Sequence, residues 1–110
     1  MTTIVIRKSS TGEYRNFVCT GHAGYDFSQR DVVCAGISVL VINTINSLDE
    51  IAKEKIEVVT NEEEGLIYCA FKNDTLNDKA KVLMDALVLG IKEISKEYGK
   101  KYLKLKFEEV

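Results

Sequence analysis

From Val32 to Leu48 the chain carries no charged side chain, and this run limits the possible folds more than any other stretch. Core-facing positions recur in and just beyond it at Val33, Ile37, Leu40, Val41, Thr44, Ile45, Leu48 and Ile51. Steps of three and four predict a helix with a wide apolar face, carried further round by Val39 and Ile42. Ser38, Asn43, Thr44, Asn46 and Ser47 break the run, which suits a buried helix of a folded domain better than a membrane span. A helix apolar over so much of its circumference needs cover on more than one side. In a chain of 110 residues a second subunit is one such cover.

The flanking segments predict what the helix packs on. Thr2 to Arg7 alternates, with Ile4 and Ile6 on one side and Thr3, Val5 and Arg7 on the other. Ser9-Ser10-Thr11-Gly12 signals a turn, and Glu13 to Thr20 alternates again, so the two make a β-hairpin. His22 to Arg30 has no apolar period and reads as a mobile surface loop. Ile56 to Thr60 and Leu66 to Phe71 form a second hairpin around the polar turn Asn61-Glu62-Glu63-Glu64-Gly65. Asn73-Asp74-Thr75 offers caps for a helix from Leu76 to Tyr98, whose inner face is Leu76, Ala80, Leu83, Leu87, Ile91, Ile94 and Tyr98, with Gly99 as its stop. Tyr102 to Phe107 is a closing strand, with Leu103, Leu105 and Phe107 inward and Lys104 and Lys106 outward. The order ββαββαβ predicts a single α+β domain over residues 1–110, two helices on one mixed sheet.

Composition removes several function classes. A formal net charge of −2 gives no electrostatic reason to expect nucleic acid. Met1 leads almost directly into strand pattern with no basic and apolar leader, so the chain reads as cytoplasmic, with no membrane partner. Cys19, Cys34 and Cys69 are odd in number, widely spaced and lack a CxxC pair. This argues against a disulfide framework and against a thiol oxidoreductase.

The chemistry-bearing stretch is Gly21 to Ser38. It holds His22, the only histidine, and Cys34 twelve positions later. A thiol becomes a good nucleophile when a helix N-terminus or an imidazolium favours its thiolate. Ser28 and Asp31 compete as N-cap of the long helix. Asp31 is preferred, because it puts Cys34 in the first turn and leaves a loop long enough for His22 to fold back onto it. Ala35 and Gly36 would then leave space for a substrate backbone, and Ser38, one turn on, shares the face of Cys34.

Plainer readings stand beside this one. Cys34 also suits a buried small hydrophobe and His22 a loop residue, because such pairs meet only in space. Cys19 and Cys69 fall on strands and read as core residues. A zinc site would need tight ligand pairs, and only Cys19-x-x-His22 has that spacing, so no metal and no cofactor are expected. Asp26 and Asp31 suit caps or solvated turns as well as partners for a histidine. Lys100, Lys101, Lys104 and Lys106 make a basic edge that chiefly prevents edge-to-edge association.

Gly21-His22-Ala23-Gly24-Tyr25, followed by Asp31-Val32-Val33-Cys34-Ala35-Gly36-Ile37-Ser38, resembles the ribosomal-processing cysteine protease family, Prp, in motif, length and element order. The resemblance implies a bacterial, homodimeric endopeptidase that removes a short N-terminal extension from a large-subunit ribosomal protein. It cuts an apolar strand between the second Phe and Ala of Phe-Phe-Ala. Carried onto this chain, Cys34 is the nucleophile and His22 the base, with Gly21, Gly24, Tyr25, Asp31 and Ser38 in supporting or substrate-binding positions. An apolar groove near Cys34 is implied, with oxyanion donors among the backbone N–H groups at the helix start, that of Cys34 included. The alternative from a different class is a non-catalytic dimeric module that binds ribosomal protein or RNA.

Overall fold

The computed structural model describes residues 2–21, 29–98 and 101–110, with residues 29–31 described by backbone alone. The elements are β1 (Thr2–Lys8), β2 (Tyr14–Thr20), α1 (Gln29–Glu50), β3 (Ile56–Asn61), β4 (Leu66–Phe71), α2 (Asp78–Tyr98) and β5 (Leu103–Glu109). They follow the predicted ββαββαβ order. Both hairpins form, β2 pairs antiparallel with β4, and β5 pairs parallel with β1. The result is one mixed five-stranded sheet in the order β3-β4-β2-β1-β5.

Alternation decides which side of the sheet the helices cover. The register sets Ile4 opposite Cys19 and Ile6 opposite Phe17, and Phe17 in turn opposite Cys69. All five are buried and join Val33, Ile37, Val41 and Leu48 of α1 and Ala80, Met84, Leu87 and Ile91 of α2 in one core. Each large apolar side chain so buried contributes roughly 1.5–3 kcal/mol. Met84 belongs to this face although the expected inner stripe omitted it, whereas Tyr98 is more than a third exposed. Phe107 is half exposed at the sheet edge, under the Lys92 ammonium 5.4 Å from its ring centroid. Where α1 and α2 cross, a Cβ on Gly90 would lie 2.9 Å from Leu40 Cδ2. That close approach explains a glycine inside a helix, where it otherwise costs about 1 kcal/mol against alanine.

Two helix boundaries differ from expectation. Helix α1 begins at Gln29, so Asp31 is not its N-cap but lies inside it. Arg30 therefore belongs to the helix, while the rest of the expected loop, 22–28, lies outside the described residues, as does Gly99. Helix α2 begins at Asp78 because Asn77 caps it: Asn77 Oδ1 accepts from the Ala80 N–H at 2.9 Å. The expected caps at Asn73-Asp74-Thr75 lose to that geometry, although Asn73 serves nearby.

Both ends of the inter-helix connection meet at Glu54, which is 4% exposed. Its Oε2 accepts from Asn73 Nδ2 at 2.7 Å and its Oε1 from the Asn77 N–H at 2.8 Å. Asn77 Nδ2 donates to the Ala52 carbonyl at 2.9 Å. The exit of α1 is thereby clasped to the entry of α2, and Lys53 is held at φ 56°, in the left-handed region. Val32–Glu50 is the one helical stretch among the described residues long and apolar enough to cross a membrane by length and composition, and a third of that window is buried in the fold.

Glu54→Ala leaves the Asn77 N–H and the Asn73 amide without their acceptor inside the structure. We expect it to cost about 3 kcal/mol in urea unfolding, because bonds to a charged acceptor are worth roughly 1.5–3 kcal/mol each. Glu54→Gln, which keeps one acceptor oxygen, should cost less than half as much; equal losses for the two would mean that packing, not the clasp, is what Glu54 provides.

Candidate active site

Strand β1 and helix α1 bring two side chains together that are far apart in sequence. Cys34 is 2% exposed on the inner face of α1, and its Sγ lies 2.8 Å from Oγ1 of Thr2, itself 3% exposed. The start at Gln29 puts Cys34 in the second turn rather than the expected first. At that depth its N–H is committed to the helical ladder, toward the carbonyl four residues back. It is therefore not the free oxyanion donor expected of it, and the helix terminus acts on the sulfur from more than a turn away.

Thr2 is the contact that sequence reasoning missed. The alternation was legible: Thr2 falls on the same side as Ile4 and Ile6, which marks it as a polar residue in a buried row. Gly21, opposite the Thr2 end of β1, leaves β2 at φ 134°, a conformation that only glycine adopts readily. His22, Gly24 and Tyr25 lie outside the described residues, and so does the side chain of Asp31, whose backbone is helical.

Ser38 and Gly21 open onto a cleft of about 570 Å³. Helix α1 supplies one wall through Ser38, Ile42, Ile45 and Asn46, and the β3–β4 hairpin supplies the other through Val58, Thr60, Leu66 and Ile67. The register that sets Ile67 opposite Cys19 brings the hairpin turn, with Glu62 and Gly65, to the same end as Gly21. From Ser38 to Asn46 the helix advances about 12 Å, the length of three or four extended residues. Ala35 and Gly36 do not border this space as expected. Both are exposed, and Gly36 lies about 200° round the helix from Cys34. A Cβ there would meet nothing within 4 Å.

The other two thiols behave as core. Burial pushes Cys19 up to about 11, with a smaller contribution from the nearby Cys34 charge, and burial pushes Cys69 up to about 12. Burial and a 2.6 Å hydrogen bond to Asp85 likewise raise the Tyr14 phenol well above its ordinary range. Among the described residues no cluster of three or more His, Cys, Asp or Glu side chains is arranged to hold a metal.

The comparisons with known proteins point one way. The sequence profile of the family described as "Cysteine protease Prp" matches residues 1–104. The Ribosomal processing cysteine protease Prp of Staphylococcus aureus is 24% identical over 99 residues, covering 90% of this chain and 92% of its own length. Its Bacillus subtilis counterpart is 26% identical over 96 residues, covering 84% and 86%. Among solved structures, the S. aureus protease in complex with a substrate peptide superposes with a TM-score of 0.87 at 22% identity, over 97% of this chain and 99% of that one. A Streptococcus mutans structure gives 0.87 at 23% identity, over 100% and 96%. At such identities the superpositions establish the fold.

Raised thiol values have a consequence for stability. In the unfolded chain Cys19 and Cys69 ionise near the ordinary value of about 8.5, but in the fold only toward 11 and 12. Their stabilisation is complete below about pH 8.5 and is lost as pH rises through the folded values. The urea midpoint should therefore fall steadily between pH 9 and 11, and Cys69→Ala should flatten that slope. A midpoint independent of pH over this range would contradict the buried-thiol account.

Proposed function

Because the chain belongs to the Prp cysteine protease family, we propose that it is an endopeptidase that removes a short N-terminal extension from a large-subunit ribosomal protein. Cys34 is the nucleophile. His22 is the general base that takes its proton and, as acid, later protonates the leaving amine. The thiolate attacks the scissile carbonyl, a thioester forms with the N-terminal fragment as the amine departs, and water releases that fragment and restores the thiol. The bond cut lies after the second residue of Phe-Phe, before Ala. Gly21, Gly24, Tyr25, Asp31 and Ser38 act as supporting or substrate-binding positions. The enzyme works in the cytoplasm as a homodimer, without metal or cofactor and without direct nucleic-acid binding.

The observation that carries this reading is the family match, because residues 1–104 include both motif blocks, from Gly21 to Tyr25 and from Asp31 to Ser38. The cleft that begins one turn from Cys34 supports it. Its length suits an extended peptide, and Ile42, Ile45 and Ile67 suit aromatic side chains on that peptide. The S. aureus and B. subtilis relatives, described as ribosomal processing proteases, support the substrate class. Val32 and Val39 on the outward face of α1 are 61% and 68% exposed in a single chain, which supports a second copy as their cover.

The test is mass spectrometry of a peptide spanning Leu-Gln-Phe-Phe-Ala-Ser. Wild type should give one cut, after the second Phe. Cys34→Ala should give no product while staying folded, its urea midpoint lowered only by the loss of the buried Thr2–Cys34 contact, and His22→Ala should be slower by roughly 10²–10⁴-fold. Equal turnover by Cys34→Ala would sink the mechanism. An intact peptide with wild type, together with salt-sensitive binding to ribosomal RNA, would favour the non-catalytic module.

A further inference from the structure

We propose that Thr2 is a positioning residue for the nucleophile: its hydroxyl donates a hydrogen bond to the Cys34 sulfur when that sulfur is ionised, and so holds the thiolate in place. The inference rests on reading Cys34 as the nucleophile.

The geometry is a 2.8 Å contact between two side chains that are both almost wholly buried. With a neutral thiol either atom can be the donor. A thiolate has no hydrogen, so the contact persists on ionisation only with Thr2 as donor. A buried hydroxyl in the row of Ile4 and Ile6 is costly unless bonded, and the Cys34 sulfur is the partner the fold gives it. Thr2 is also held firmly: its N–H donates to the Tyr102 carbonyl at 3.1 Å, and it pairs with Leu103 in the parallel ladder. A β-branched side chain on so fixed a backbone has few rotamers to choose from. Helix α1 does less of this work, because the Cys34 N–H is itself bonded within the helix and the terminus at Gln29 lies more than a turn before Cys34. Among the described residues the titratable group facing Cys34 is Cys19 of β2, which stays protonated through the neutral range.

Thiolate absorbance near 240 nm, read as the difference from Cys34→Ala, isolates Cys34 below pH 9, since Cys19 and Cys69 are silent there. Thr2→Val keeps the shape and removes the donor; Thr2→Ser keeps the donor. We expect the Thr2→Val titration to move to higher pH than wild type and Thr2→Ser to stay with wild type. On the peptide above, kcat for Thr2→Val should fall roughly tenfold with KM within about twofold, as for a lost charge-assisted hydrogen bond, and Thr2→Ser should recover it. Titration of Thr2→Val at or below the wild-type pH would overturn the proposal. Full turnover by Cys34→Ala would instead sink the reading of the nucleophile, while the absorbance titration still decides the Thr2–Cys34 bond on its own.

Discussion

The structure depends on one packing event, the burial of the α1 face that carries Cys34, Ile37, Val41 and Leu48 against the sheet. These residues are at or below 2% exposed, so the rotation of the helix about its axis is fixed by apolar burial rather than by anything at its ends. The consequence for the site is direct. The same rotation that buries Ile37 turns Cys34 toward β1, turns Ser38 and Ile42 toward the cleft, and leaves Val32 and Val39 facing outward. A chemically reactive side chain is oriented by inert neighbours, and its position is as well determined as the core itself.

Much of the fold was legible because its patterns are periodic. Alternation marked β1, β2 and β5, two β-rich segments around a polar turn marked β3 and β4, and the spacing around Leu40 and Leu87 marked both helices. Boundaries were less legible, because the competing signals were of similar strength. Ser28 and Asp31 both suit an N-cap, and nothing local ranks Asn77 above Asn73 until the buried carboxylate of Glu54 draws both asparagines in. That carboxylate could not be read in sequence, where it sits among Lys53 and Lys55 like any surface acid. Likewise Met84 lies on the buried face by angle, although the i, i+3, i+4 count through Leu83 and Leu87 passed over it.

For the site, the motif blocks drew attention to Cys34 correctly as a residue on α1, and the structure gave it a different neighbourhood from the expected one. The helix start at Gln29 removes the first-turn thiol, and with it the free N–H. The small residues Ala35 and Gly36 lie on the outward side, away from the sulfur. The cleft could not be deduced from the motif because half of its wall comes from the β3–β4 hairpin, which shares no pattern with Gly21 to Ser38. Thr2 needed tertiary structure for the same reason: only the sheet register tells which end of β1 lies under which turn of α1.

The parallel pairing of β1 with β5 has one more consequence. Strands β1 and β5 lie about a hundred residues apart in sequence yet are neighbours, and the Thr2 N–H finds its acceptor only at Tyr102. A nascent chain halted before that point carries its thiol and most of its core, but the corner of the sheet beneath the sulfur is unfinished. Long-range closure of this kind is paid for late in folding. Maturation of the site is therefore tied to the synthesis of β5, and a chain that lacks this strand is left with a loosely seated thiol.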